Sequence, residues 1–119
     1  MENQKSALGL DANITALIGY PVGIVALIMI FIEKDNKFVR FHAFQSLLFW
    51  VAVCLIYIAL GIITGIFFAI SYGLGYLFAS LIGLFGLLVL IGIVFLAYKA
   101  FQNEKFKLPV IGDMAEKWA

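Results

Sequence analysis

Residues 63–83 read ITGIFFAISYGLGYLFASLIG, and whether this stretch carries a helix onward or turns it back decides the architecture. It lies inside a run of 58 residues, Phe41 to Tyr98, that contains no Asp, Glu, Lys or Arg. A helix rises about 1.5 Å per residue, so as one rod the run would reach about 87 Å, nearly three times the roughly 30 Å of bilayer hydrocarbon. The run must therefore cross, turn and cross back. Its only suitable turn is SYGLGY at 71–76, where two glycines weaken the helix and two tyrosines suit a membrane interface.

Composition agrees with a bilayer setting. Of the 119 residues, 65% are hydrophobic and only 13% charged, and the mean hydropathy is +1.10, far more apolar than an ordinary soluble domain. A second uncharged run, Ala12 to Ile32, is 21 residues long and matches one crossing. The expected fold is all-α, a single domain over 1–119: an integral membrane bundle of three transmembrane helices near 13–32, 43–70 and 77–98, with a loop at 33–42 and a short amphipathic tail at 99–119. The middle span exceeds the need, so it should tilt, project or break, with Gly61 or Gly65 as the breaking point.

Basic residues orient such a bundle. With three crossings, Lys34, Lys37, Arg40, Lys99, Lys105, Lys107 and Lys117 share one side and Lys5 stands alone on the other. The positive side is cytoplasmic by the usual bias, which predicts an outside N-terminus and a cytoplasmic C-terminus in a cell membrane.

Helices in lipid associate where small residues let backbones approach. Gly19 and Gly23 in the first span, Gly61, Gly65 and Ala69 in the second, and Gly75, Ala79 and Gly83 in the third recur at four-residue spacing. Each span thus carries one thin face, for packing within the chain or against a homo-oligomeric or larger membrane-protein partner. Pro21, between Gly19 and Gly23, predicts a kink or an irregular start to the first span.

The sequence argues against catalysis. No charged side chain falls at hydrocarbon depth, where proton-coupled transporters place them. The single histidine, His42, and single cysteine, Cys54, are 12 positions apart, about 18 Å along a helix, so they form no catalytic pair. No His/Cys cluster suits zinc and no glycine loop suits phosphates. Neither enzyme activity, a cofactor, a metal nor a nucleic-acid partner is expected; the expected partner is the lipid bilayer.

Two polar stretches remain. In VRFHAFQSLLFW, 39–50, His42, Gln45 and Ser46 share one helical face at the threshold of the apolar run, while Arg40 points elsewhere. Such a cluster anchors a helix at the interface and bonds a neighbouring helix or a backbone carbonyl, or else lines a cytoplasmic vestibule or forms a docking point for a partner. In FKLPVIGDMAEKWA, 106–119, Pro109 can open a helical turn, after which Val110, Ile111, Met114 and Trp118 are apolar and fall near i, i+4 and i+8, while Asp113, Glu116 and Lys117 are polar. That pattern suits a segment lying on the bilayer, or one tucked against the bundle at Gly112.

Together these stretches resemble the DUF4870 (UPF0132) family of small prokaryotic membrane proteins. The family's His-Ala-x-Gln-Ser pattern falls on His42, Ala43, Gln45 and Ser46, and its Pro-x-Ile-Gly-Asp-x-Ala-Glu pattern on Pro109, Ile111, Gly112, Asp113, Ala115 and Glu116. The family is distantly similar to the Tic20 component of chloroplast protein import, for which four spans rather than three are expected. What the resemblance implies is a helical membrane protein without an assigned reaction. The expected function is that of a structural or accessory membrane subunit acting through helix packing. The alternative is an oligomeric channel or translocation component lined by His42, Gln45, Ser46 and Thr64.

Overall fold

The computed structural model describes residues 5–119; residues 1–4 of the expected domain lie outside the described residues. Five α-helices follow in order: α1 Ala12–Gly19, α2 Gly23–Ile32, α3 Lys37–Ile70, α4 Tyr72–Phe101 and α5 Ile111–Trp118. Two of them, α3 with 34 residues and α4 with 30, are long and apolar enough to cross a membrane. The chain divides into two compact units, residues 5–50 with 93–119, and residues 51–92.

The uncharged 12–32 run is not one helix. At Tyr20–Val22 the ladder stops, because Pro21 has no N–H to donate and its ring cannot follow a helical turn. Tyr20 N and Val22 N still reach back to Leu17 O and Ile18 O at 3.4 and 3.1 Å, but the carbonyls of Gly19 and Tyr20 lose their onward helical partners. Side chains of α3 replace them: Ser46 Oγ donates to Gly19 O at 2.6 Å and Trp50 Nε1 to Tyr20 O at 2.9 Å. Satisfied in this way, an interrupted backbone can persist away from water.

The two short helices fold back on each other. A Cβ added at Gly19 would meet Ala26 Cβ at 3.6 Å, and one at Gly23 would meet the Trp50 indole at 3.5 Å, both ordinary contact distances, so both glycines lie against a neighbour at the tip of this hairpin. Its two ends lie together. Ala7 N donates to Glu33 Oε1 at 2.7 Å, and one cleft is lined by residues on both sides of the hairpin, Lys5 to Ala7 and Ile32 to Asn36. Ala12, Ala16 and Tyr20 of this segment pack with Ala26, Met29, Val39, Ala43, Leu96 and Ala100 in one buried cluster.

Helix α3 begins earlier than expected. Asn36 Oδ1 accepts from Val39 N at 3.2 Å, an N-cap that starts the helix at Lys37 and shortens the expected 33–42 loop to 33–36. From there α3 runs unbroken through Gly61 and Gly65, so neither glycine is a breaking point; with its ladder intact, a glycine costs only about 1 kcal/mol relative to alanine.

In the 51–92 unit α3 and α4 form an antiparallel hairpin. Phe67 stacks on Phe78 at 4.4 Å between centroids, Phe68 meets Tyr76 at 5.2 Å and Tyr57 meets Phe85 at 5.0 Å. The reversal at 71–76 contracts to one non-helical residue, Ser71, and α4 starts at Tyr72 rather than at 77. Gly75 makes this tight return possible, since an added Cβ would collide with the Phe68 ring. By contrast, a Cβ at Gly61, Gly65 or Gly83 would meet nothing within 4 Å, and Ala69 is exposed. Among the described residues those positions pack against no other helix; Ala79 is half-buried.

Removing either carbonyl cap should weaken the first unit. Ser46→Ala and Trp50→Phe each leave a buried acceptor without its donor and are expected to lower stability by about 1–3 kcal/mol. Denaturant unfolding in detergent checks this, with Ser80→Ala as the control because Ser80 Oγ bonds only within its own exposed helical turn, to Tyr76 O.

Candidate functional site: a buried polar junction

The side chains at the threshold of α3 converge on backbone that no regular element satisfies. Arg40 NH1 donates to Ile30 O at 3.1 Å and Glu33 O at 2.5 Å, where α2 ends, and its Nε donates to Ala119 O at 3.2 Å. Its guanidinium also lies 5.3 Å from the centre of the Phe44 ring. One arginine thereby ties the end of α2 to the end of the tail. Its planar fork, with several donors fixed in different directions, suits this use better than a lysine would.

His42, Gln45 and Tyr20 form a closed set. His42 Nε2 lies 3.0 Å from Glu104 O; a carbonyl only accepts, so this nitrogen carries the proton and Nδ1 accepts from the Tyr20 hydroxyl at 2.5 Å. The same hydroxyl accepts from Gln45 Nε2 at 2.8 Å, and Gln45 Nε2 also donates to Phe106 O at 2.8 Å. Gln45 Oε1 accepts from Leu108 N at 3.0 Å. Every donor and acceptor of the Gln45 amide group is thus in use except one lone pair. His42 and Gln45 are 1% and 0% exposed, and Phe38 and Phe41 meet the imidazole edge to face at 4.6 and 5.0 Å.

Held by this set, residues 104–108 run beside the first turns of α3, and α5 closes behind them. Gly112 N donates to Leu108 O at 2.8 Å, and a Cβ at Gly112 would strike Lys107, so only glycine lets the tail approach so closely. Lys107 Nζ pairs with Glu116 and lies 3.8 Å from Asp113 Oδ1. The hydrogen bond with Lys107 holds the Glu116 carboxyl below its usual range, and the same bond raises the Lys107 ammonium. Trp118 meets Phe44 edge to face at 6.1 Å. The tail motif residues Pro109, Gly112, Asp113 and Glu116 therefore build a docked α5, whose helix begins at Ile111, two residues after Pro109.

The expected cluster of Arg40, His42, Gln45 and Ser46 comes together with the tail and with the 19–23 hairpin tip. Sequence reading omitted Tyr20, Trp50 and Asn36. Tyr20 and Trp50 looked like ordinary aromatics of an apolar span; the signal that was available is Pro21, whose broken ladder requires outside donors. Thr64 belongs to the other unit, where its hydroxyl is buried without a hydrogen-bond partner among the described residues. Among the described residues no group of three His, Cys, Asp or Glu could hold a metal ion.

Comparison with known proteins gives the family. The model of the magnetosome magnetite crystal formation protein family matches residues 3–115. The chain belongs to this family. It is also 40% identical over 116 residues to a UPF0132 membrane protein of Methanocaldococcus jannaschii, covering 97% of this chain and 94% of the relative. A UPF0132 membrane protein of Archaeoglobus fulgidus is 35% identical over 106 residues, 88% of this chain and 92% of its own. A second M. jannaschii member is 34% identical over 114 residues, 94% of this chain and 73% of its own. No solved structure matches the chain. With relatives named as membrane proteins and two helices of crossing length, this family member is a membrane protein.

Two outcomes follow for the junction. Tyr20→Phe strips His42 Nδ1 of its donor and Gln45 of an acceptor, and should cost about 1–3 kcal/mol while exposing Lys105 and Lys107 to faster tryptic cleavage. For α5, the lowered Glu116 favours docking above the ordinary carboxylate range and loses that contribution as pH falls through its lowered value. The raised Lys107 favours docking below the ordinary lysine range and loses it as pH rises through its raised value. NMR signals of residues 111–118 should therefore report loosening at both extremes, and Glu116→Gln should remove the acid limb.

Proposed function

We propose that the chain is a small accessory subunit of a prokaryotic cell membrane, without catalytic activity, that acts by packing and by shaping its lipid surroundings. The observation that carries this reading is the junction's hydrogen bonding: Arg40, His42, Gln45, Ser46 and Trp50 are committed to backbone carbonyls and amides of the same chain. Side chains so engaged serve architecture rather than substrate. The family's description speaks of magnetite crystal formation; the accessory role proposed for this chain is membrane organisation.

The same reading revises the crossings. In place of three spans, α3 and α4 cross and the α1–α2 hairpin is re-entrant. The helices of the hairpin have 8 and 10 residues, about 12 and 15 Å, half of the hydrocarbon or less. Its tip is held at Ser46 and Trp50 and its C-terminal end at Arg40; Ser46 and Trp50 lie six and ten residues, about 9 and 15 Å, from Arg40 along α3. With two crossings, Lys5 joins the other seven basic residues on one side, and all eight then obey the cytoplasmic bias. The segment from Lys5, the 33–36 loop and the C-terminus are accordingly placed in the cytoplasm.

A second reading, an oligomeric channel or a Tic20-like translocation component, draws on Thr64, whose buried hydroxyl has no hydrogen-bond partner among the described residues, and on the open glycine positions of the 51–92 unit.

Two measurements test these proposals. Single cysteines at the exposed positions Leu8, Val22, Asp35, Tyr72 and Lys117, in a Cys54→Ser background, are treated with a membrane-impermeant maleimide on intact cells and on inverted vesicles. Leu8, Asp35 and Lys117 should label from the cytoplasmic side, Tyr72 from outside and Val22 from neither. Labelling of Leu8 from outside would restore a third crossing. Mass determination after mild-detergent purification should show a reproducible membrane-protein partner; a closed homo-oligomer alone would turn the reading toward the channel.

A further inference from the structure

We infer that the chain prefers strongly curved bilayers, with its charged end in the convex leaflet, so that its recognised partner is a lipid surface of defined curvature. The inference rests on the re-entrant reading above and adds a specific lipid geometry to it.

Crossing helices such as α3 and α4 occupy both leaflets alike. The hairpin does not, because its tip is pinned at the level of Ser46 and Trp50 and its helices are too short to go further. Two helices, each about 10–12 Å across, add roughly 200 Å² to the area of one leaflet and none to the other.

That added volume is seated in acyl chains rather than in water. On α2, Ile24 is 70% and Phe31 71% exposed, an apolar outer face that water would not tolerate at the length of a whole helix. Helix α5 adds to the same leaflet at headgroup level. Its Gly112 and Ala115 face inward and are buried, while Met114 and Trp118 are exposed four residues apart and so on one stripe, with Trp118 at its edge against Phe44. Lys105 and Lys117 remain exposed beside that stripe, suited to anionic headgroups.

Insertion confined to one leaflet expands that leaflet, and such segments bind best where curvature has already opened its packing. A flat bilayer must compress neighbouring lipids to admit the hairpin and α5; a convex surface supplies the space. Exposure of the same apolar residues to a protein partner would carry no dependence on vesicle diameter, which separates the two.

The full-length chain is purified with Cys54→Ser and Lys117→Cys, labelled with a fluorophore, and reconstituted into phosphatidylcholine and phosphatidylglycerol vesicles of mixed diameter. Fluorescence per membrane area is read vesicle by vesicle, and an impermeant quencher scores which end faces out. The expected result is at least about a twofold rise in density from the largest to the smallest vesicles, carried by molecules whose charged end faces out. A density independent of diameter, or a rise carried by inward-facing molecules, overturns the inference. A single cysteine at Val22 in the same vesicles distinguishes the failures. If Val22 is shielded from both sides while density is flat, only the curvature preference falls; if Val22 is reached from the side opposite Lys117, the re-entrant reading falls with it.

Discussion

An interrupted backbone away from water must find its hydrogen bonds among side chains, and the unit formed by residues 5–50 and 93–119 is organised by that requirement. Pro21 ends α1 after only 8 residues, leaving the Gly19 and Tyr20 carbonyls without helical donors. Ser46 and Trp50 supply them. Because those two donors sit on α3 one turn apart, the position of the hairpin tip along α3 is set by the same bonds that make it tolerable. The irregular tail is subject to the same condition. Glu104 O, Phe106 O and Leu108 N are taken by His42 and Gln45, and the end of α2 by Arg40.

This explains why polar residues cluster at the start of an otherwise apolar helix. A helix satisfies its own backbone, so a crossing segment alone needs no polar side chains. The first three turns of α3 carry them because three other pieces of the chain meet there: the hairpin tip, the end of α2 and the 104–108 segment. Tyr20 is the shared member, donating to His42 and accepting from Gln45, so a residue from the hairpin closes the network that holds the tail. In a low-dielectric setting a fully satisfied network of this kind fixes one arrangement, whereas a partly satisfied one is costly.

Small residues acquired different meanings in the two units. A methyl group at Gly19 or Gly23 would make an ordinary contact with Ala26 or Trp50, whereas Gly112 allows an approach to Lys107 that a methyl would block. Gly75 does the same for the Phe68 ring at the sharp return between α3 and α4. Gly61, Gly65 and Gly83 face open space, although their four-residue spacing is as regular. Periodicity identifies a thin helix face but says nothing about what lies across it.

The sequence by itself determined the membrane class, the turn between α3 and α4, the polar patch at 40–46 and the amphipathic pattern of 111–118, because each depends on local composition or on helical periodicity. It also supplied the break at Pro21, which was legible as a kink. Only the tertiary structure decided that this break folds 12–32 into a hairpin instead of bending a single span, and that α3 starts at Lys37 and passes Gly61 and Gly65 intact. The physical reason is that a 21-residue uncharged run is long enough to cross whether or not it does. The choice lies in which distant donors reach the carbonyls freed at its midpoint, and Ser46 and Trp50, 27 and 30 residues away, are adjacent to them only in the folded chain.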